Sequence, residues 1–186
     1  MKDVSRRFVI AGAGSVTLML AGCNNGLSGN GAEKIDARVD AALNHLYATS
    51  LAAQDLRDKS VGMLVMPLIT KAGLGIGGAY GRGALRVGGV TVDYYSAAKA
   101  SFGFQLGVQQ YAHVLFFMTE DALAEFRNSA GWSVGANVEY VVNTNGETLS
   151  ADTTTALAPV IAMVFGQAGL IAGATLEGTK YTRIIP

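Results

Sequence analysis

Lys71 to Gly89 reads KAGLGIGGAYGRGALRVGG, and the fold turns on this stretch. Eight of its nineteen residues are glycine. From Leu74 to Arg86 the bulk alternates, with Leu74, Ile76, Tyr80, Arg82 and Arg86 on one side and Gly73, Gly75, Gly77, Ala79, Gly81 and Gly83 on the other. A period of two is the strand period. A strand with one bare face suits a tightly curved sheet or the close approach of another backbone. A helix is disfavoured, because each interior glycine costs roughly 1 kcal/mol relative to alanine. Gly73, Gly75, Gly77 and Gly81 are therefore expected to be structural and intolerant of added bulk.

Outward from this strand the pattern stays β. Val61 to Leu68 is a short apolar run that predicts a first strand ending at Pro67, Gly88-Gly89 predicts a turn, and Val90 to Ser96 a returning strand. Phe102, Phe104, Leu106 and Val108 alternate with Gly and Gln, and Val114 to Met118 reads as a buried strand. Thr119-Glu120-Asp121 opens a helix through Arg127, with Thr as cap and acids in the first turn. Trp132, Val134, Ala136, Val138 and Tyr140 alternate as one more strand, and Asn143 to Gly146 is a turn. Upstream, Ile35, Val39, Leu43, Leu46 and Tyr47 share one helical face, and a second short helix is expected over Leu51 to Lys59. The expected organisation is α+β: a helical part over 33–59, then a β-rich core over 60–186. That core should be an antiparallel, β-barrel-like sheet, closed or nearly closed, with a few surface helices.

Residues 1–22 read as a lipoprotein signal peptide: a basic start, an apolar stretch from Phe8 to Leu20, then Leu20-Ala21-Gly22-Cys23, similar to a bacterial lipobox. The apolar stretch is too short to span a bilayer. Cys23, the single Cys of the chain, is the expected lipidation site, and 23–32 the flexible tether behind it. Ser5-Arg6-Arg7-Phe8 fits either the general or the twin-arginine export route. Such a protein would be exported to a bacterial cell envelope, and Asn24 favours the outer membrane facing the periplasm.

Three segments resemble the SYLF domain: Met66 to Gly89, Asp93 to Leu123 (DYYSAAKASFGFQLGVQQYAHVLFFMTEDAL), and GLIAGATLEG from Gly169 to Gly178. This family is shared by eukaryotic membrane-trafficking and actin-patch proteins and by bacterial secreted lipoproteins. The resemblance implies a β-barrel core, binding of phosphoinositide or other anionic phospholipid at a membrane surface, and actin bundling in some eukaryotic members. An exported protein would not ordinarily meet actin, so that activity is not carried over. An envelope protein as partner is the alternative reading, and the oligomeric state is left open.

Charge and composition narrow the chemistry. Lys and Arg number 14, as do Asp and Glu; without residues 1–22 the counts become 11 and 13, which gives no basis for nucleic-acid binding. The charge is segregated, however: Lys59, Lys71, Arg82 and Arg86 lie between Asp58 and Asp93 with no acid among them. Lys71, Arg82 and Arg86, with Lys59 and Lys99 secondary, are the expected headgroup-binding residues. Gly73 to Gly78 formally satisfies GxGxxG, but strand rather than helix follows, so a dinucleotide site is rejected despite Asp93 at a suitable distance. Gly131-Trp132-Ser133-Val134-Gly135 matches GxSxG, yet no His follows His113, and Ser133 is expected to face solvent on a strand. Two His, His45 and His113, and one Cys assemble no metal site. No catalytic residue and no cofactor is assigned. The 24 uncharged residues between Asp152 and Glu177 hold a GxxxG, but Pro159 and four Thr argue for strand over a membrane helix.

Overall fold

The computed structural model describes residues 30–134, 138–141, 158–166, 169–170 and 176–186. Cys23, the 1–22 signal segment, residues 24–29 of the tether and the Asn143–Gly146 turn lie outside the described residues, and the last two residues of the expected tether, Gly31 and Ala32, open α1 instead. In chain order the elements are α1 (Gly31–Thr49), α2 (Leu51–Lys59), β1 (Gly62–Val87), β2 (Val90–Phe117), α3 (Glu120–Asn128), β3 (Trp132–Ser133), β4 (Val138–Val141), β5 (Val160–Gly166), β6 (Gly169–Leu170) and β7 (Lys180–Ile184).

The helices follow their sequence signals. Ile35, Val39, Leu43 and Leu46 are the buried stripe of α1. Ser50 separates it from α2 and caps α2 by accepting from Ala53 N at 3.3 Å. Thr119 does the same for α3, accepting from Ala122 N at 3.3 Å, with Glu120 and Asp121 in the positive first turn.

The strands differ from the expected set, because five expected strands are two. β1 and β2 form a single hairpin of 26 and 28 residues. Gly88 and Gly89 join them at φ 58° and 82°, the positive values that a two-residue type I′ turn requires. Pro67 does not end a strand, because it occupies a bulge. The register steps from Met66↔His113 to Ile69↔Tyr111, which puts an extra residue on β1 where the missing N–H removes no ladder bond. Ala97 to Ser101, poor strand formers alone, continue β2 because Gly77 to Gly81 pair with them.

The hairpin then folds over on itself. A Cβ on Gly77 would lie 2.6 Å from the Ala72 carbonyl oxygen and 2.8 Å from Gly73 Cα; one on Gly81 would meet the Leu68 carbonyl, and one on Gly83 the Val65 carbonyl. As β1 runs forward from Gly77 to Gly83, the contacted backbone runs backward from Ala72 to Val65. The first half of the strand therefore lies against the bare face of the second. Side chains would hold two such layers about 10 Å apart; glycine removes them.

β2 carries β1 along one edge and two strands along the other: β7 over Tyr94–Ala98 and β5 over Ala112–Phe117. The path is β3-β7-β2-β5-β4, with β1 on β2 and β6 on β5. Its ends do not meet among the described residues, so the seven strands form a curled half-barrel rather than a closed barrel. The pairing is also not wholly antiparallel, since β4 runs parallel to β5, Val138 opposite Val160. Trp132 to Tyr140 is not one strand: β3 pairs with β7 and β4 with β5, while Ala136 lies outside the described residues.

Alternation along the strands fills two cores. Leu64, Met66, Leu115, Phe117, Ala162 and Val164 face the concave side, where α3 closes it with Leu123 and Phe126. Met63, Val65, Val114, Phe116, Ile161 and Met163 face the other side, under α1 and α2. Covering on both faces explains why these segments read as unbroken apolar runs.

Candidate functional site

Strand parity and the fold of the hairpin decide where each candidate residue projects. Lys71 lies opposite Gln109, and Lys99 opposite Ala79, a residue of the concave core. Lys71 shares the parity of Ile69 and Ala79, so both lysines belong to the concave side. They come close enough for their charges to interact. Burial first, and the Lys71 ammonium second, draw Lys99 below the ordinary lysine range, while Glu177 opposes the shift. The folding of β1 over itself thus collects two ammonium groups and one carboxylate at the mouth of the curl.

Arg82 is an odd number of residues from Lys71 along β1 and projects to the opposite face, exposed. The register places it in a row with Ser96 and Thr182; the adjacent row holds Tyr80, Ala98, Lys180 and Ser133. Tyr80 is 55% exposed. Lys180 leans over Gly131, where a Cβ would meet its Cε at 2.6 Å, so the glycine makes room for the lysine stem. Sequence reading missed Lys180. Its strand parity is visible in KYTRI, but its neighbours come from β1, β2 and β3.

The other two basic candidates are engaged elsewhere. Arg86, with a side chain 15% exposed, sits between Asp40 at 2.8 Å and Asp36 at 3.6 Å, both on α1. Asp36 also accepts from Thr91 Oγ1 at 2.7 Å and Tyr94 Oη at 2.8 Å. Arg86 therefore clamps α1 to the sheet. Lys59, at the end of α2, pairs with Asp55 at 3.0 Å in an exposed i,i+4 contact. Among the expected basic residues, the structure brings together only Lys71 and Lys99.

Residues 98–183 match the family model described as Ysc84: Las17-binding protein actin regulator. This segment matches the SYLF domain that the sequence resembles. A comparison with curated proteins finds no match. The matched Ysc84 segment contains Lys99, Glu177 and Lys180 but starts after β1. Since β1 pairs with β2 along its length, the folded unit around the Ysc84 segment also includes the glycine strand.

The remaining chemical motifs have structural settings. Gly73 to Gly78 lie within β1, with no helix after them. Asp93 is held between Arg127 Nε and Arg183 Nε, each at 3.4 Å, tying the end of α3 to β2 and β7. Ser133 is exposed on β3, while Gly135 of the GxSxG motif lies outside the described residues. His113 is wholly buried, 2.7 Å from Tyr181 Oη, and burial pushes its pKa down to about 3, so it is neutral. Among the described residues no group of His, Cys, Asp and Glu could hold a metal, and no helix is long and apolar enough to cross a membrane. The described part of the uncharged 152–177 region includes β5, a strand.

Proposed function

We propose that this protein is a lipid-anchored protein of a bacterial envelope, acylated at Cys23, whose Ysc84 unit binds anionic phospholipid headgroups at the folded end of its hairpin and performs no catalysis. The observation that carries the binding reading is the Lys71–Lys99 pair. Two like charges drawn together on a partly buried surface raise each other's cost, which Glu177 offsets in part and a bound anion would offset further. Arg82 and Lys180, on the opposite face of the same end, add positive potential around that point.

The contribution is small. At about 1 kcal/mol for each lysine near an anionic surface, the pair supplies roughly 2 kcal/mol, too little for binding from free solution. An anchor at Cys23 makes the contact effectively intramolecular, where weak contacts suffice. A Lys71→Glu, Lys99→Glu variant should lose binding to phosphatidylglycerol vesicles while keeping its melting temperature, and wild-type binding should weaken as salt rises. Retained affinity in that variant, or binding indifferent to salt, would point to the second reading. That reading is an adaptor role, favoured by a family description that names a protein-binding member and by Tyr80, an exposed aromatic between Arg82 and Lys180.

A further inference from the structure

The two halves of the folded hairpin are roofed unequally. The outer side of the first half, with Val65, Phe116 and Met163, lies under α1 and α2. The outer side of the second half carries no helix among the described residues. Beyond Ala84 and Tyr94, where the first turns of α1 lie, Tyr80, Arg82, Ala98, Lys180, Thr182 and Ser133 are all exposed.

The relief of this face follows from the register. Ser96 and Ala98 of β2, both small, run between Tyr80 and Arg82 on β1 and Lys180 and Thr182 on β7. The flanking strands stand two strand spacings apart, about 10 Å, so the low strip between them is about one helix wide. Its flanks are cationic. Among the described residues Arg82 and Lys180 form no ion pair, and no carboxylate shares their face; Asp36 and Asp40, at its margin, are held by Arg86.

The molecule also carries the complementary surface. α3 buries Ala122, Leu123 and Phe126, and exposes Asp121, Ala124, Glu125 and Asn128 at helical spacing with Glu120 beside them. None of these acids forms an ion pair among the described residues. With Ala124 in its middle, the stripe is low at the centre and acidic around it. α3 lies on the concave side of the same half-sheet whose outer side is bare, with Phe126 against Tyr95 and Trp132. A chain therefore cannot bring its own α3 to its own bare face, whereas a second copy can.

We infer that copies of this chain associate head to tail, α3 of one lying across Ser96 and Ala98 of the next, with Asp121 and Glu125 reaching Arg82 and Lys180. In that place α3 roofs the second half of the hairpin as α1 and α2 roof the first. The two surfaces differ, so the contact is heterologous and builds runs or rings rather than two-fold dimers. Exposed ion pairs are individually weak, so association needs a high concentration, which a shared membrane surface supplies. It does not depend on headgroup binding at the Lys71–Lys99 pair.

Sedimentation velocity of the purified full chain at low salt should show a mean mass that climbs past the dimer as concentration approaches about 1 mM. At about 1 M salt, where the screening length is about 3 Å, it should show a monomer. Arg82→Glu, Lys180→Glu in one chain, and Asp121→Lys, Glu125→Lys in another, should each weaken association about tenfold or more. An equal mixture of the two should associate again, because each reversed surface then meets its opposite. Lys71→Glu, Lys99→Glu should leave association unchanged. If the reversed helix does not fold, Ala98→Trp, which raises the floor of the strip without touching α3, should weaken association as much. A wild type that stays monomeric throughout overturns the inference and leaves the face to a different partner. Association indifferent to salt, folded reversed chains that do not restore one another, or unchanged association in folded Ala98→Trp overturns it equally.

Discussion

A methyl group at Gly81 would meet the Leu68 carbonyl, whereas one at Gly78, on the outward face, would come no nearer than 3.3 Å to the Lys99 carbonyl. Gly81→Ala should therefore cost about 1–3 kcal/mol by overpacking, and Gly78→Ala clearly less, in paired urea melts; equal costs would show that the two backbones are not in contact. The alternation of bulk in 71–89 made the bare face readable, but nothing local said that its partner was the earlier half of the same strand. His113 was legible only as a residue at the mouth of an apolar run. Its burial against Tyr181 depends on β7, far along the chain. Because the folded pKa is depressed to about 3, the unfolded chain alone takes up the proton as pH falls below about 6.5. Stability held at neutral pH should then decline by about 1.4 kcal/mol per pH unit on that account, from about 6.5 toward 3. His113→Phe keeps the ring and removes the titration. It should be less stable than wild type at pH 7, since Tyr181 loses its partner, and the gap should narrow as pH is lowered from 6.5 to 4.5.

At the scale of elements, Arg86 shows how a residue can be read correctly for charge and face and still be assigned to the wrong neighbour. It does share the outward parity of Arg82, but α1 covers that end of the sheet and supplies Asp36 and Asp40. The acids were visible on the polar side of the helical stripe; their register against the sheet was not. Arg86→Gln should lower stability by about 1–3 kcal/mol, seen as a lower urea midpoint at unchanged slope. Vesicle binding of the folded variant should persist. A variant of normal stability that fails to bind vesicles would return Arg86 to the headgroup surface. Helices were legible to within a residue or two because their caps and stripes are local. Strand ends were not, because Pro67 and the Ala97–Ser101 stretch are breakers only in isolation, and pairing with a long neighbour overrides them.

At the scale of the molecule, the lysine pair predicts a pH response of its own. Lys99 is drawn below the ordinary lysine range in the free protein, and a bound anion favours its charged form. Affinity for anionic vesicles should thus be full below that lowered pKa and fall as pH rises through it, earlier than an isolated lysine would require; a profile unchanged in Lys99→Gln would remove Lys99 from the contact. The class of the fold was legible from strand spacing and glycine, but its incomplete closure was not, because no short-range signal reports whether the two ends of a sheet meet. The direction of α1 has one more consequence. Its first turns lie by Arg86, Thr91 and Tyr94, next to the hairpin turn, and His45 near its other end reaches a cleft beside Pro67. The helix therefore acts as a rigid spacer of about 28 Å between the point where the chain enters the domain and the folded end bearing the lysines. Cys23 to Asn30 can reach no more than about 29 Å when fully drawn out. On the anchor proposed at Cys23, a molecule standing on its folded end can lay its lysines on the membrane only with that leash nearly taut. Deleting residues 26–29 should leave the protein in the membrane yet abolish crosslinking of Lys71 to photoactivatable headgroups, and inserting four Gly/Ser residues at the same place should preserve it.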